Sequence, residues 1–153
     1  MQISIVSEAF DPQAQIAVFA AGRADASALV SFVGLGRAAT DGTHVQQLRI
    51  DQYPGFTEKE IARLAGEVSV RCDCPDLLVV HRVGIIAPGE AIVLVAALAT
   101  HRGNAFEAVR ILMDYLKTDA PLWKQEAGQE GARWIEPRVE DRERRTALEK
   151  ELV

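Results

Sequence analysis

The sequence lacks most of the motifs by which enzyme classes are recognised. It has no glycine-rich phosphate loop, no G-x-S-x-G nucleophile motif and no histidines at metal-ligand spacing. Only two cysteines and three histidines occur among its 153 residues. These absences argue against the common nucleotide-binding, serine-hydrolase and zinc-enzyme classes, and we expect neither a metal nor a cofactor.

The two cysteines, Cys72 and Cys74, have a spacing that suits neither a disulfide nor a zinc site. C-x-C is too tight for an ordinary disulfide, and a structural zinc ion would need a second pair of ligands. We therefore expect two reduced thiols at the end of a helix, and no cysteine nucleophile.

Long hydrophobic runs are also missing. No apolar run reaches the length that spans a bilayer. The first ten residues lack the basic region and the long apolar region of a signal peptide. We therefore expect a cytoplasmic protein with no membrane partner.

The sequence has fewer basic than acidic residues, and its net charge is −5. General affinity for nucleic acid comes mostly from phosphate neutralisation, so an acidic chain argues against a nucleic-acid partner. Any anion site must then be a local cluster of positive side chains in a protein of negative net charge. The hydrophobic fraction of 48% and the charged fraction of 25% are those of a globular protein with a real core.

Alternation and turn signals predict strands interspersed with helices. The predicted strands are 2–7 (edge), 28–34 (buried), 44–53 (half exposed), the antiparallel hairpin 77–86 and 91–100 (the second strand central), and a small separate hairpin of 122–127 and 132–136. Predicted helices begin at Asp11-Pro12, at a capping box of Thr57 and Glu60, and at Asn104. Residues 38–43 form a loop expected to be mobile, and 139–153 a mixed-charge helical tail, usually solvated. The pattern indicates an α+β fold with helices against a mixed, mainly antiparallel sheet.

The most informative stretch of the chain runs from residue 100 to residue 126. It begins with His101 and Arg102, continues through the predicted helix 104–117, and ends beyond Pro121 at Lys124. A helix start flanked by imidazole and guanidinium groups is suited to bind an anion, because free backbone N–H groups point outward there. The alternative is that His101 and Arg102 are a strand end exposed to water.

The other candidate cations are Arg37, Lys117, Lys124 and Arg138. Lys117 could simply complement the dipole at the helix C-terminus. Lys124 has no such capping role, because it follows a proline in a short strand. Arg37 and Arg138, taken singly, are more often solvated than functional. His81 and Arg82 lie mid-strand on opposite faces and are interpreted as structural.

Helix geometry separates these groups. Thirteen residue steps from Asn104 to Lys117 correspond to about 20 Å at 1.5 Å per residue. His101 and Arg102 can therefore hardly meet Lys117 on one small ligand within one chain. Either they serve different sites or a homodimer combines them, and we adopt the composite pocket of a homodimer as a hypothesis.

Seven segments resemble a known family in order and spacing. The chain is similar to the large, catalytic subunit of molybdopterin synthase in QYPGFTEK (52–59), VHRVG (80–84), PGE (88–90), HRGNAFEA (101–108), MDYLKT (113–118), APLWKQE (120–126) and RWIE (133–136). The resemblance covers nearly the whole chain and is weakest in the N-terminal helix and beyond Arg138.

This resemblance implies a sulfurtransferase of molybdenum cofactor biosynthesis with an α/β hammerhead fold and a small added antiparallel subdomain. The family installs the dithiolene sulfurs of molybdopterin on cyclic pyranopterin monophosphate. Sulfur arrives as the C-terminal Gly-Gly thiocarboxylate of a small ubiquitin-like subunit, and the complex is a heterotetramer around a dimer of large subunits. The expected organisation is one catalytic domain, 1–138, followed by the tail 139–153.

The resemblance also implies roles for individual residues. Lys117 and Lys124 match the catalytic lysines, whereas Arg37, His101, Arg102 and Arg138 match the substrate-binding group, some of it supplied by the second subunit. This chain departs from the family at Leu35, where a lysine is common, and local positive charge is lower there. A non-catalytic dimeric module that binds a phosphorylated metabolite or a ubiquitin-like partner is the alternative, which leaves the lysine pair unexplained.

Overall fold

The structure is a computed structural model that describes residues 1–150. Its elements in chain order are β1 (Gln2–Val6), α1 (Pro12–Ala20), β2 (Ala28–Leu35), β3 (Ala39–Thr40), β4 (Thr43–His44), β5 (Gln47–Gln52), α2 (Phe56–Arg71), β6 (Asp76–Arg82), β7 (Gly84–Ile86), β8 (Ala91–Ala99), α3 (Arg102–Thr118), β9 (Leu122–Gly128), β10 (Gly131–Ile135) and α4 (Val139–Lys150).

The first sheet has the strand order β1-β6-β8-β2, in which only the β1–β6 pair is parallel. Its strand β8 is apolar and buried almost throughout, as the sequence predicts for a central strand. Helices α2 and α3 cover one face of the sheet and bury Leu64, Val68, Ile111 and Leu112, while α1 packs on the other face through Phe19. The predicted α+β class with a mixed, mainly antiparallel sheet is confirmed.

Several local predictions are confirmed by the hydrogen bonds that form each element. The Asp11 carboxylate accepts from the backbone N–H groups of Gln13 (2.9 Å) and Ala14 (3.3 Å), so it is the N-cap of α1. Cys72 is the C-cap residue of α2, and both cysteines are free and buried. The predicted pair of reduced thiols at a helix end is therefore present.

The segment predicted as a buried strand is instead an edge strand. Among the described residues, β2 pairs only with β8, and its side chains are half-buried or exposed, Phe32 and Leu35 included. Its apolar run was mistaken for a strand covered on both faces. Sequence alone does not reveal that only one neighbouring strand pairs with it.

The second sheet has the order β10-β9-β5-β7 and is antiparallel. The predicted hairpin 122–127 and 132–136 is present but not separate, because β9 also pairs with β5. The predicted single strand 77–86 is broken at Gly84, where φ is +86°, so that β6 and β7 join different sheets. This break positions the two sheets around one pocket.

Two further predictions need correction. The predicted capping box is absent, since Thr57 lies in the first turn of α2, buried, where its hydroxyl accepts from Tyr53 N–H (2.9 Å) and donates to the Pro121 carbonyl (3.1 Å). The predicted loop 38–43 contains the short hairpin β3–β4, with Asp41 and Gly42 at positive φ. The hairpin is anchored by Thr40, which donates to Glu126 (2.8 Å).

Helix α4 packs on the protein rather than standing in solvent. Arg145 lies 4.3 Å from the ring centre of Tyr115 and pairs with Asp119 at 2.7 Å, and Leu148 is buried. The last three residues of the predicted tail lie outside the described residues. No helix within residues 1–150 combines the length and apolar character needed to cross a membrane.

Candidate active site

A pocket of about 820 Å³ lies where the two sheets, α3 and α4 meet. Four of the six residues predicted to act on the substrate line it: Arg37, Lys117, Lys124 and Arg138. They come from the segment after β2, the last turn of α3, the middle of β9 and the residue before α4. Two of the four lysines in the whole chain thus line one pocket.

Strand alternation directs Lys124 into the pocket. Trp123 is exposed on the outer face of β9, whereas Lys124 is half-buried between Ile50 of β5 and Ile135 of β10. Burial lowers the pKa of the Lys124 amine, and the positive charge of Lys117 lowers it further, while Asp141 acts in the opposite direction. A larger share of Lys124 is therefore neutral near pH 7 than for a lysine in water.

Lys117 has a different environment. It is exposed and belongs to the last turn of α3, where its charge also complements the helix dipole. This position agrees with the dipole role, and Lys117 also lines the pocket, as its predicted catalytic role would require. The positive charge of Lys117 is close enough to lower the pKa of Lys124.

His81 also lines this pocket, although we interpreted it from the sequence as structural. It is only 2% exposed, and its Nδ1 lies 2.9 Å from the carbonyl oxygen of Arg82. Burial, together with the charge of Lys124, lowers the pKa of His81 to about 4. A neutral imidazole whose Nδ1–H donates to this carbonyl leaves Nε2 as an acceptor. Arg82 is structural as predicted, since it pairs with Glu90 at 2.7 Å.

The depressed pKa of His81 should make the protein less stable in acid. The His81 imidazole is protonated with a pKa near 6.5 in the unfolded chain, whereas in the folded chain its pKa is about 4. Stability should therefore be full above pH 6.5 and fall as the pH drops toward 4, by about 2.5 kcal/mol at pH 4.5 from this one group. Denaturant unfolding of the wild type and of His81→Gln from pH 7.5 to pH 4.5 measures the difference.

In His81→Gln this part of the fall in unfolding free energy at low pH should be absent. The carboxylates should contribute equally to the pH dependence of both proteins. The difference between the two proteins above pH 7 gives the cost of the substitution itself and is subtracted. Equal pH slopes in the two proteins would contradict the assignment of a neutral, buried His81.

Glu126 is a buried carboxylate of the site that the sequence analysis does not single out. It is 6% exposed, accepts from Thr40 (2.8 Å) and Arg133 (3.2 Å), and lies 4.0 Å from Arg37 Nη2. It therefore links the β3–β4 hairpin, β10 and the predicted substrate-binding arginine. Its position two residues after Lys124, on the same face of a strand, was the available signal.

His101 and Arg102 do not line this pocket. They are exposed at the N-terminus of α3, as predicted, and His101 is the N-cap residue without a side-chain capping bond. Arg102 and Lys117 lie fifteen steps apart on one helix, which corresponds to about 22 Å. The separation expected from the sequence is therefore present within one chain.

Fold and site together define an α+β protein with a recessed pocket that is lined by both cations and carboxylates and contains two lysines of unlike exposure. The profile of the MoaE protein family matches residues 5–119, and the chain belongs to this family. It is 46% identical over 142 residues to the molybdopterin synthase catalytic subunit of Caulobacter vibrioides, covering 93% of each protein.

Two solved structures extend this comparison. The molybdopterin biosynthesis MoaE protein of Burkholderia ambifaria is 39% identical with a TM-score of 0.79, and the match covers 99% of this chain and 98% of that one. A Helicobacter pylori structure of the complex of subunits 1 and 2 of molybdopterin-converting factor has a TM-score of 0.73 at 21% identity, covering 88% and 90% of the two chains. At that identity the second likeness concerns the fold alone.

Proposed function

We propose that this chain is the catalytic subunit of a molybdopterin synthase. In this role it transfers sulfur from the C-terminal thiocarboxylate of a small ubiquitin-like subunit to cyclic pyranopterin monophosphate, and the product carries the dithiolene of molybdopterin. The observation that carries the proposal is the presence of Lys117, Lys124, Arg37 and Arg138 in one recessed pocket. The chain has no cysteine free for such chemistry, since both thiols are buried and their pKa values are raised by burial.

The charges suit both reactants. Guanidinium groups such as those of Arg37 and Arg138 bind phosphate with paired, charge-assisted hydrogen bonds, and the substrate carries a cyclic phosphate. The thiocarboxylate at the end of the partner's tail is also an anion, so Lys117 and Lys124 attract it. The pocket thus supplies a cation for each of two anions, in a chain whose net charge is −5.

The two lysines differ in what they can do. Lys124, whose pKa is lowered by burial and by Lys117, gives up its proton more readily than a lysine in water and so suits proton transfer. Lys117 is exposed at the rim of the pocket, where the tail of the partner enters. We propose that Lys117 drives sulfur transfer at the incoming tail and that Lys124 assists it.

We propose that His101 and Arg102 reach the substrate from the second copy in a homodimer. The complete assembly is then a heterotetramer of two large and two small subunits. We further propose that residues 1–138 form the catalytic domain, that residues 139–153 form the charged tail, and that the protein works in the cytoplasm. Two free, buried thiols are in keeping with a reducing compartment.

The decisive experiment is reconstitution. The purified chain is incubated with a thiocarboxylated small subunit and the cyclic pyranopterin precursor, and molybdopterin is measured. Product must depend on all three components. Formation of a stable complex without any product would instead identify a non-catalytic binding module.

Replacing Arg37 by alanine should weaken substrate binding more than it slows turnover. Arg37 lines the pocket beside Glu126 but is half exposed, so its loss leaves the fold intact. We expect KM for the pyranopterin substrate to rise about tenfold, the loss of one charge-assisted contact, with kcat within about threefold. Steady-state kinetics at saturating small subunit measure both constants.

Arg49→Ala is the matched control for Arg37→Ala. Arg49 is an exposed arginine that pairs with Asp51 at 3.0 Å, and it does not line the pocket. This variant should keep the wild-type KM. A KM for Arg37→Ala equal to that of Arg49→Ala would remove Arg37 from the substrate site.

A further inference from the structure

His81 is a buried polar side chain to which the proposed sulfur transfer assigns no role. It lies near the end of β6, on the face of the strand where Leu77 and Val79 pack into the core beneath α2 and α3. Continuation of that face calls for another apolar residue, because a polar group in such a place costs free energy unless it is hydrogen-bonded. His81 is only 2% exposed, so each nitrogen of its imidazole needs a partner.

The Nδ1 nitrogen of His81 has its partner in the backbone. It lies 2.9 Å from the carbonyl oxygen of Arg82. A carbonyl oxygen can only accept a hydrogen bond, so Nδ1 carries the hydrogen of the ring. Burial, together with the charge of Lys124, lowers the pKa of His81 to about 4, and the imidazole is therefore neutral near pH 7. In this tautomer Nε2 has no hydrogen and acts only as an acceptor.

The Nε2 nitrogen of His81 has no hydrogen-bond partner among residues 1–150. The side-chain nitrogen and oxygen atoms in this part of the chain that are fully enclosed without a partner belong to Arg82, Asp114 and Arg145. Nε2 is not one of these atoms, so it is not sealed by protein and is accessible from the pocket that His81 lines. A deeply buried acceptor that opens on a cavity is placed to meet a donor on the molecule that fills the cavity.

Strand register defines what lies next to His81 in the first sheet. His81 is paired with Val93 of β8, and Val93 is paired with Gly34 of β2, so the three residues form one row on the same face of the sheet. All three line the pocket. Gly34 has no side chain, and a Cβ atom there would lie 2.8 Å from the Val93 side chain. The row is therefore an apolar shelf with one acceptor at its His81 end, and it spans two strand spacings, about 10 Å.

An acceptor at the end of an apolar row suits an uncharged ring system better than a phosphate. The lone pair of Nε2 repels an anionic oxygen, whereas it attracts an N–H group. A flat heterocycle with N–H groups along its edge can lie on the apolar row and donate to Nε2 at the same time. In the proposed reaction the pterin part of the substrate has this chemistry, whereas its cyclic phosphate requires the arginines.

We propose that Nε2 of His81 accepts a hydrogen bond from a ring N–H of the pterin, which lies over the row of His81, Val93 and Gly34. His81 is then a substrate-binding residue that selects the ring system, a part of the substrate that the cationic side chains do not recognise. It is not a general base, because an imidazole whose pKa is about 4 accepts the hydrogen bond without removing the proton. The identity of the heterocycle rests on the proposed function.

Two substitutions of His81 separate this role from a structural one. His81→Asn keeps an amide N–H near the position of Nδ1, where it can donate to the Arg82 carbonyl, but it has no atom at the position of Nε2. His81→Gln reverses this, because its longer side chain places an amide oxygen near the position of Nε2 and gives up the bond to Arg82. Calorimetry with cyclic pyranopterin monophosphate, without the small subunit, should show a Kd about tenfold higher in His81→Asn and within about threefold of wild type in His81→Gln.

A structural role for His81 predicts the reverse order, with the larger loss of affinity in His81→Gln. That order overturns the proposal, and so does wild-type affinity in His81→Asn. In either case sulfur transfer by the wild type would leave the proposed function standing. A wild-type protein that does not bind the precursor at all would refute both.

Nitrogen NMR of the wild type gives a second test, which is decisive even if neither variant folds. The chain has three histidines, and His44→Gln and His101→Gln assign the signals of the two exposed ones, which leaves those of His81. Its Nε2 should resonate as an unprotonated nitrogen in the free protein, and this signal should move when the precursor is added but not when inorganic phosphate is added. A protonated Nε2 overturns the proposal. A signal that the precursor does not move also overturns it, including one that moves only with the small subunit.

Discussion

Lys117→Ala should abolish formation of molybdopterin while the small subunit still binds. Lys117 lies in the last turn of α3 at the rim of the pocket, where we place the incoming thiocarboxylate tail. Removal of a group that transfers a proton or accepts the acyl group typically costs two to four orders of magnitude, so we expect a fall in kcat of about 10³-fold. Single-turnover assays with thiocarboxylated small subunit measure this loss.

The fold should tolerate Lys117→Ala well. The side chain is exposed and its dipole contribution is about 0.3–1 kcal/mol, so the melting temperature should move by only a few degrees. Calorimetric affinity for the small subunit should stay within about threefold, since one exposed lysine contributes little to a large interface. These two measurements separate lost chemistry from lost structure.

Lys59→Ala is the control for this substitution, because Lys59 is an exposed helix lysine outside the pocket. It should retain full activity. Lys117→Ala with wild-type turnover would refute the catalytic assignment. Loss of small-subunit affinity in parallel with turnover would instead make Lys117 a docking residue.

Mixing two inactive variants should restore activity if the pocket is completed across two subunits. One variant carries His101→Ala together with Arg102→Ala, and the other carries Lys117→Ala. In a mixed dimer one composite site contains all three substitutions, whereas the other composite site contains only wild-type residues. In the isolated mixed dimer one of two sites is intact, so about half of wild-type activity per dimer should return.

The physical reason lies in helix geometry. His101 and Arg102 stand at one end of α3, and Lys117 stands at the other end. If all three groups acted from a single chain, each site of a mixed dimer would carry one defect and activity would stay near zero. The measurement is the rate of molybdopterin formation after co-expression of differently tagged variants and isolation of the mixed dimer.

Two controls are needed. One is the isolated homodimer of each variant, and the other is a mixture of the two homodimers assayed before their subunits exchange. Both should remain inactive. Activity of the mixed dimer at the level of the two parents would contradict the composite pocket.

Much of the fold follows from local rules that need only neighbouring residues. Asp11 before Pro12 sets the start of α1, and the apolar run 91–100 forms the central strand β8. The sequence-based predictions differ from the structure where contacts with a distant segment determine the local arrangement. Thr57 faces Pro121 rather than capping its helix, and β2 is exposed because only β8 pairs with it within the described chain.

The candidate site shows the same division. The resemblance indicated Lys117, Lys124, Arg37 and Arg138, which the structure brings to one pocket. His81 and Glu126 are not recognised from the sequence as pocket residues, because the fold places them there through distant segments. His81 pairs with Ile5 of β1, and Glu126 accepts from Thr40, so both positions depend on segments far apart in the chain.

The sequence by itself determined the type of fold, the family and the cations available to bind an anion, because these depend on composition, local periodicity and motif spacing. Tertiary structure alone decided which cations share a pocket and which amine is partly desolvated. It also decided that the helix of the charged tail forms one wall of this pocket. The reason is that electrostatic interactions and burial act through space, whereas sequence patterns report mainly on neighbours along the chain.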